Sequence, residues 1–150
     1  MIKNCSGNIL NTRSEILVNP VNTMGIMGRG LAKMIKEKHP DVFINYRKAC
    51  VEKRIKIGKH QLTKIFDTNS EYQYVLNFAT KKHWRDPSEY QYVEEGLEAL
   101  KNDFKYLKNV SIAFPLLGAG LGGLNKNKIR EMISIHLSEW NNNEIEIWDF

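Results

Sequence analysis

The sequence predicts an α/β fold, a three-layer α/β/α sandwich around a mixed, largely parallel central sheet. Three observations carry that prediction. Strand-like and helix-like segments alternate along the chain, the pattern of strands covered by helices on both faces. Val110 to Phe114 reads as a continuous apolar strand but for Ser111, as in a strand buried on both sides. Two glycine-rich stretches, Gly25 to Gly30 and Gly118 to Gly123, each follow such a strand. In parallel sheets ligands bind beyond those strand ends.

The elements follow in order. Ile16 to Asn19 reads as a short buried strand leading into a helix of about Gly30 to Lys38. His39-Pro40 ends that helix, because proline disfavours helical geometry in the residue before it. Pro40 suits the first turn of a second helix, where Val42, Phe43, Tyr46 and Ala49 or Cys50 recur at helical spacing. Leu62 to Phe66 and Tyr74 to Ala79 read as a strand pair around the polar turn Asp67 to Glu71, a hairpin. Ser88 with Gln91 resembles a capping box. It would open a helix carrying Tyr92, Val93, Leu97, Leu100, Phe104 and Leu107 on one face, with Tyr90 and Tyr92 as packing residues. Pro115 stops the strand at 110–114, a helix spans about Lys128 to Trp140, and Ile145 to Trp148 closes the chain as a strand. No repeat or linker interrupts residues 1–150, which are expected to form one domain.

A chain of 150 residues with 42% hydrophobic content can bury roughly 70% of its unfolded surface, which argues for a folded globule. No run approaches the ~20 apolar residues of a membrane span, and Met-Ile-Lys-Asn-Cys lacks a signal-peptide core. The expectation is a cytoplasmic monomer without a membrane partner. Cys5 and Cys50 read as reduced packing residues, and four scattered histidines give no legible zinc site. The net charge of +5 favours encounter with polyanions. Its basic bursts, Lys33–Lys38, Lys48–Lys59, Lys81–Arg85 and Lys126–Arg130, are mostly solvated helix faces. The burst at 81–85 differs because it follows an apolar strand directly.

Chemistry concentrates in three loops expected on one sheet edge. In Leu-Val-Asn-Pro-Val-Asn-Thr-Met-Gly-Ile-Met-Gly-Arg-Gly-Leu-Ala (17–32), Asn19 and Asn22 offer neutral donors and acceptors. Gly25, Gly28 and Gly30 admit a ligand close to main-chain N–H groups, and the helix beginning near Arg29 aims its positive end at the turn. In Pro-Leu-Leu-Gly-Ala-Gly-Leu-Gly-Gly-Leu (115–124), successive N–H groups can form an anion nest. Neither a Walker loop nor the Rossmann spacing is present. Two facing loops of this kind suit a diphosphate held by main-chain amides without a metal. In the loop 80–88, Trp84 can stack on a base or cover its own loop, and Arg85 can hold phosphate.

These stretches resemble the macrodomain family, which binds ADP-ribose. The resemblance rests on Ser6-Gly7-Asn8-Ile9-Leu10, Asn19-Pro20-Val21-Asn22, Met27-Gly28-Arg29-Gly30-Leu31-Ala32 and residues 115–124. Gly-Ile-Met-Gly-Arg-Gly-Leu-Ala and Asn-Phe-Ala-Thr-Lys-Lys-His-Trp-Arg (77–85) look closest to the DarG-like branch of DNA ADP-ribosyl glycohydrolases. The resemblance implies an ADP-ribosyl hydrolase acting on nucleobases in DNA, thymidine first among them, with no metal or cofactor. Asn8, with Ile9, stands where relatives read adenine, and Asn22 near the distal ribose. Met27, Gly28, Arg29, Gly30 and Leu31 face Leu117, Gly118, Ala119, Gly120, Leu121 and Gly122 across the diphosphate. Asn19 and Thr80 complete the ligand set. Lys81 matches the branch's catalytic lysine, with Lys82 as the adjacent competitor.

A free lysine, pKa near 10.4, is protonated at pH 7. Partial burial and the cations Lys82 and Arg85 are expected to free the Lys81 amine. It would then attack the anomeric carbon or, as ammonium, stabilise the departing base. Lys82, His83, Trp84 and Arg85 are candidate DNA contacts. Gly122-Gly123 stands where relatives acting on protein carboxylates carry an acid, which favours the DNA-directed branch. Ala79 and Lys126 replace a common proline and a frequent tryptophan. The branch's second, toxin-blocking region has no counterpart in this sequence. Two other readings fit the same cleft: a non-catalytic ADP-ribose reader, and a hydrolase of ADP-ribose esters or ADP-ribose 1″-phosphate.

Overall fold

The computed structural model describes residues 1–67 and 69–149. Its strands are β1 (Ile2–Ser6), β2 (Ile16–Asn22), β3 (Gln61–Lys64), β4 (Tyr74–Lys81), β5 (Ser111–Pro115) and β6 (Glu144–Asp149). They form one sheet in the order β1-β6-β5-β2-β4-β3, parallel throughout except for the β3–β4 pair. The helices are α1 (Gly30–Lys38), α2 (Pro40–Val51), α3 (Tyr90–Asp103) and α4 (Lys126–Leu137). The predicted mixed, largely parallel sheet is what forms.

Strand alternation assigns the two faces. Ile16, Val18, Leu76, Phe78, Ile112 and Phe114 point to one side, where α3 and α4 contribute Val93, Leu97, Leu100, Ile129, Ile133 and Leu137. Leu17, Val21, Val75, Ala79 and Ala113 point to the other, against Leu31, Ile35, Val42, Tyr46 and Ala49 of α1 and α2. These are the three layers. No helix among the described residues is long and apolar enough to cross a membrane.

The structure departs from expectation at several points, α3 ending at Asp103 before Phe104 and Leu107 and α4 at Leu137 before Trp140 among them. β1 went unpredicted: Ile-Lys-Asn-Cys-Ser has little strand character, and the pairing with β6 at the sheet edge holds it extended. β3 ends at Lys64, short of Phe66, and the expected turn includes position 68, outside the described residues; Asp67 Oδ1 accepts from the Asn69 N–H at 2.9 Å. Ser88 caps nothing. Its N–H donates to the Gly122 carbonyl at 3.0 Å, α3 starts at Tyr90, and Gln91 turns to Glu95 instead (3.1 Å). Tyr92 stays half-exposed outside the core, whereas Tyr90 packs against it.

Candidate functional site

The parallel strands β6, β5, β2 and β4 end on one edge, and a cleft of about 740 Å³ lies across those ends. Sheet order therefore sets the order of its lining. Ile9, Trp148 and Asp149 stand at the β6 end, Pro115, Leu116, Gly118 to Gly122 and Gly28 to Ala32 in the middle, and Asn22, Thr80, Lys81, Trp84 and Arg85 at the β4 end. The three loops do open together, as predicted.

In the middle two backbone turns face each other. Arg29 precedes α1 without a side-chain cap, so the first-turn N–H groups of Gly30, Leu31 and Ala32 face the cleft unfilled by a side chain. Opposite them the second loop closes a tight 3-10 turn (Gly120–Gly122). Gly118 has φ +74°, and a Cβ there would stand 2.8 Å from Leu124 Cδ1, so only glycine fits. The loops nearly touch: a Cβ on Gly30 would lie 3.4 Å from Leu121 Cδ1. Beneath them Ser88 borders the cleft, with its Oγ buried and without a hydrogen-bond partner among the described residues.

At the β4 end a bulge does the positioning. Val21 pairs with Ala79, but Asn22 pairs with Lys81, so the register skips Thr80. Bulges of this kind re-aim side chains beside functional sites. The Lys81 ammonium donates to the Leu121 carbonyl across the cleft at 3.4 Å. Asn22 builds the wall: its Oδ1 accepts from Met24 N–H (2.9 Å) and the Tyr46 hydroxyl (2.9 Å), and its Nδ2 donates to the Ile26 carbonyl (2.7 Å). Burial pushes the Tyr46 phenol far above its ordinary value, keeping it a neutral donor. Trp84 is flanked by His83, ring centroids 5.5 Å apart, and by the Arg85 guanidinium 4.6 Å from its centroid.

Several expected ligand residues lie elsewhere. Asn19 is fully buried and outside the cleft lining, its Nδ2 donating to Asn77 Oδ1 at 3.0 Å. Asn77 in turn donates to Gln61, and Gln61 to the Asn45 carbonyl. This amide chain ties β2, β4 and β3 in register instead of meeting a ligand. Met27 and Leu117 are core residues beneath the loops. Asn8 is exposed, its Oδ1 accepting from Leu10 N–H at 3.0 Å, and only its neighbour Ile9 lines the cleft. Lys82 and His83 are also absent from the lining, and Lys82 holds its ammonium 5.5 Å from the Tyr92 ring centroid.

Sequence reasoning missed Ser88, Trp148 and Asp149. The last two end β6, and a strand end in a parallel sheet is the signal that could have found them. A hydrogen bond from Lys126 at 2.8 Å holds the Asp149 carboxyl below its usual range. Glu94 and Glu98 of α3 each meet a ring nitrogen of His136 on α4 at 2.9 Å, and none of the three lines the cleft.

The strand-end cleft, with an uncapped helix start facing a glycine turn, belongs to an α/β fold whose sheet edge is the usual place for a ligand. The macro domain family model matches residues 18–133, and the chain belongs to that family. It is 40% identical over 150 residues to a DNA ADP-ribosyl glycohydrolase of Thermus aquaticus, and 38% identical over 133 residues to one of Mycobacterium tuberculosis. Those alignments take in 99% and 89% of this chain but 40% and 38% of the relatives. The chain thus spans about two fifths of the length of the curated relatives it matches.

Solved structures agree. The DarG macrodomain of Mycobacterium tuberculosis superimposes with a TM-score of 0.92 at 34% identity, covering 100% of this chain and 98% of that one. The Thermus aquaticus DarG macrodomain gives 0.90 at 39%, covering 100% and 99%. A Thermosipho africanus DarTG structure in complex with ADP-ribose gives 0.86 at 28%, covering 99% of this chain and 42% of that one.

Proposed function

We propose that this macrodomain binds ADP-ribose and hydrolyses its link to a base in DNA, thymidine being the first substrate to test. The observation that carries the reading is the bulge that sets Lys81 opposite Asn22 at one end of the anion cradle. In this reading the diphosphate lies between the N–H groups of α1 and the 118–122 loop, with Ser88 Oγ donating to it. The adenosine end reaches Ile9, Trp148 and Asp149. The distal ribose then meets Lys81. The names of the relatives, DNA ADP-ribosyl glycohydrolases, support DNA as the carrier of the ADP-ribose.

The hydrolysis breaks the bond between the ribose anomeric carbon and the base, adds water, and lets the base leave with a proton. Lys81 can serve in two ways. Its neutral amine can form a bond from Nζ to the anomeric carbon as the base departs with a proton; the ribose ring then opens, its C1–O4 bond breaking and the ring oxygen taking the remaining Nζ proton, and water cleaves the resulting imine to return the free amine. Its ammonium can instead stabilise the leaving base while water attacks directly. Borohydride captures an imine on Lys81 only in the first route.

The test compares wild type with Lys81→Ala on an oligonucleotide carrying ADP-ribosyl thymidine. Wild type is expected to release ADP-ribose, and the variant to be slower by about 100-fold or more. Calorimetric affinity for free ADP-ribose should stay within about fivefold, the scale of one solvent-screened contact. Binding without release by either protein would make the domain a reader. Release only from ADP-ribose esters or 1″-phosphate would overturn the DNA assignment.

A further inference from the structure

A second cavity, about 630 Å³, backs onto the first. Consecutive residues divide the two: Asn22 and Lys81 line the cleft, whereas Thr23 and Lys82 line the second cavity. The ridge between them is stitched by Thr23, whose N–H and hydroxyl both donate to the Lys82 carbonyl at 3.2 and 2.7 Å. Beyond the ridge stand three ammonium groups, Lys53, Lys56 and Lys82, over a floor containing Ile55 and Ile57. All three lysines are exposed, and among the described residues none of them pairs with a carboxylate within 4.0 Å. Tyr92 presents a half-exposed ring there, with the Lys82 ammonium 5.5 Å from its centroid. Two carboxylates share the cavity, Glu89 and Glu95, and Glu95 is engaged by Gln91 Nε2 at 3.1 Å. Cations in excess beside an aromatic ring are what a single nucleic-acid strand needs: charge for its phosphates and a face for a base.

We infer that this second cavity is a DNA subsite, in which Lys53, Lys56 and Lys82 hold phosphates and Tyr92 stacks a base of the strand next to the modified nucleotide. The inference rests on the proposed function, because it needs the modified nucleotide to sit at Lys81. The strand crosses the Thr23–Lys82 ridge as it leaves the cleft. Trp84 and Arg85 remain with the cleft itself, so this subsite is separate from the basic burst at 81–85 except for Lys82.

The test uses the full chain, with Lys53→Gln/Lys56→Gln and Tyr92→Ala as variants and circular dichroism to verify folding. A labelled, unmodified single-stranded DNA oligomer gives a readout independent of hydrolysis. The lysine pair should make the salt dependence of its binding shallower by roughly 1.4 in log–log slope, about 0.7 per phosphate. Tyr92→Ala should weaken binding roughly fivefold or more. On an ADP-ribosylated oligonucleotide KM should rise in the same proportion, while release from an ADP-ribosylated mononucleotide and the Kd for ADP-ribose stay unchanged. Unaltered oligomer binding with wild-type hydrolysis intact overturns the subsite and leaves the proposed function standing. Equal losses on mononucleotide and oligonucleotide, or preference for RNA of the same sequence, overturn it as well. Wild type inert on both modified substrates sinks the proposed function instead.

Discussion

Lys81 and Lys82 carry the same side chain on adjacent residues, and the backbone separates their fates. At the end of β4 one ammonium crosses the cleft to Leu121 and the other rests by Tyr92 on the far side of the ridge. The sequence reading held both as candidates; strand alternation and the bulge at Thr80 distinguish them. Ser88 makes a sharper point. A buried hydroxyl without a partner costs stability, so Ser88→Ala should leave the melting temperature level or slightly higher. If that hydroxyl serves the diphosphate, the same change should weaken ADP-ribose binding by about tenfold, the value of a hydrogen bond to a charged group. Calorimetry and a thermal melt on one protein sample read both. A stability loss with unchanged affinity would make Ser88 a packing residue.

Elements were readable where one local signal dominates. Pro40 divides α1 from α2 at the predicted residue, and the apolar run Ile112 to Phe114 marks β5. They were unreadable where a distant partner decides. β1 exists through its ladder to β6, and the start of α3 moved because the Ser88 N–H prefers the Gly122 carbonyl. Asn19 looked like a ligand residue because its partner Asn77 lies 58 residues away. α3 also carries a test of packing. Gly96 lies against the Phe78 ring, which is itself hemmed in by His60 at a centroid distance of 4.6 Å, and a Cβ on Gly96 would overlap that ring. Alanine for glycine inside a helix ordinarily stabilises by up to about 1 kcal/mol. Gly96→Ala should instead destabilise by about 1–3 kcal/mol, as overpacking does, measured by urea unfolding. A gain in stability would show that Phe78 has room to move.

Across the whole molecule, buried titratable groups set how stability follows pH. His39 and His60 are held below their ordinary value of 6.5, chiefly by burial. As pH falls below 6.5 the unfolded chain takes up protons that the native state refuses, so stability should fall. Glu146 acts in the same direction at lower pH. Burial raises its carboxyl, but hydrogen bonds from Thr12, Trp148 and Ser14 outweigh that and leave it below 4.5. Urea midpoints at pH 7.5, 6.5 and 5.5 should therefore decline in order; a rising or flat series would contradict the buried-histidine argument.

The fold and the loop cradle could be read from apolar runs and glycines. The amide chain, the bulge and the second cavity depend on pairings that only the assembled sheet creates. The measurement that bears most directly on the central claim is a crystal structure of the protein with ADP-ribose. The account predicts the diphosphate between the start of α1 and the 118–122 turn, with the anomeric carbon about 3.5 Å from Lys81 Nζ. A nucleotide bound in the opposite direction, with adenine at Lys81 and the distal ribose at Trp148, would contradict it.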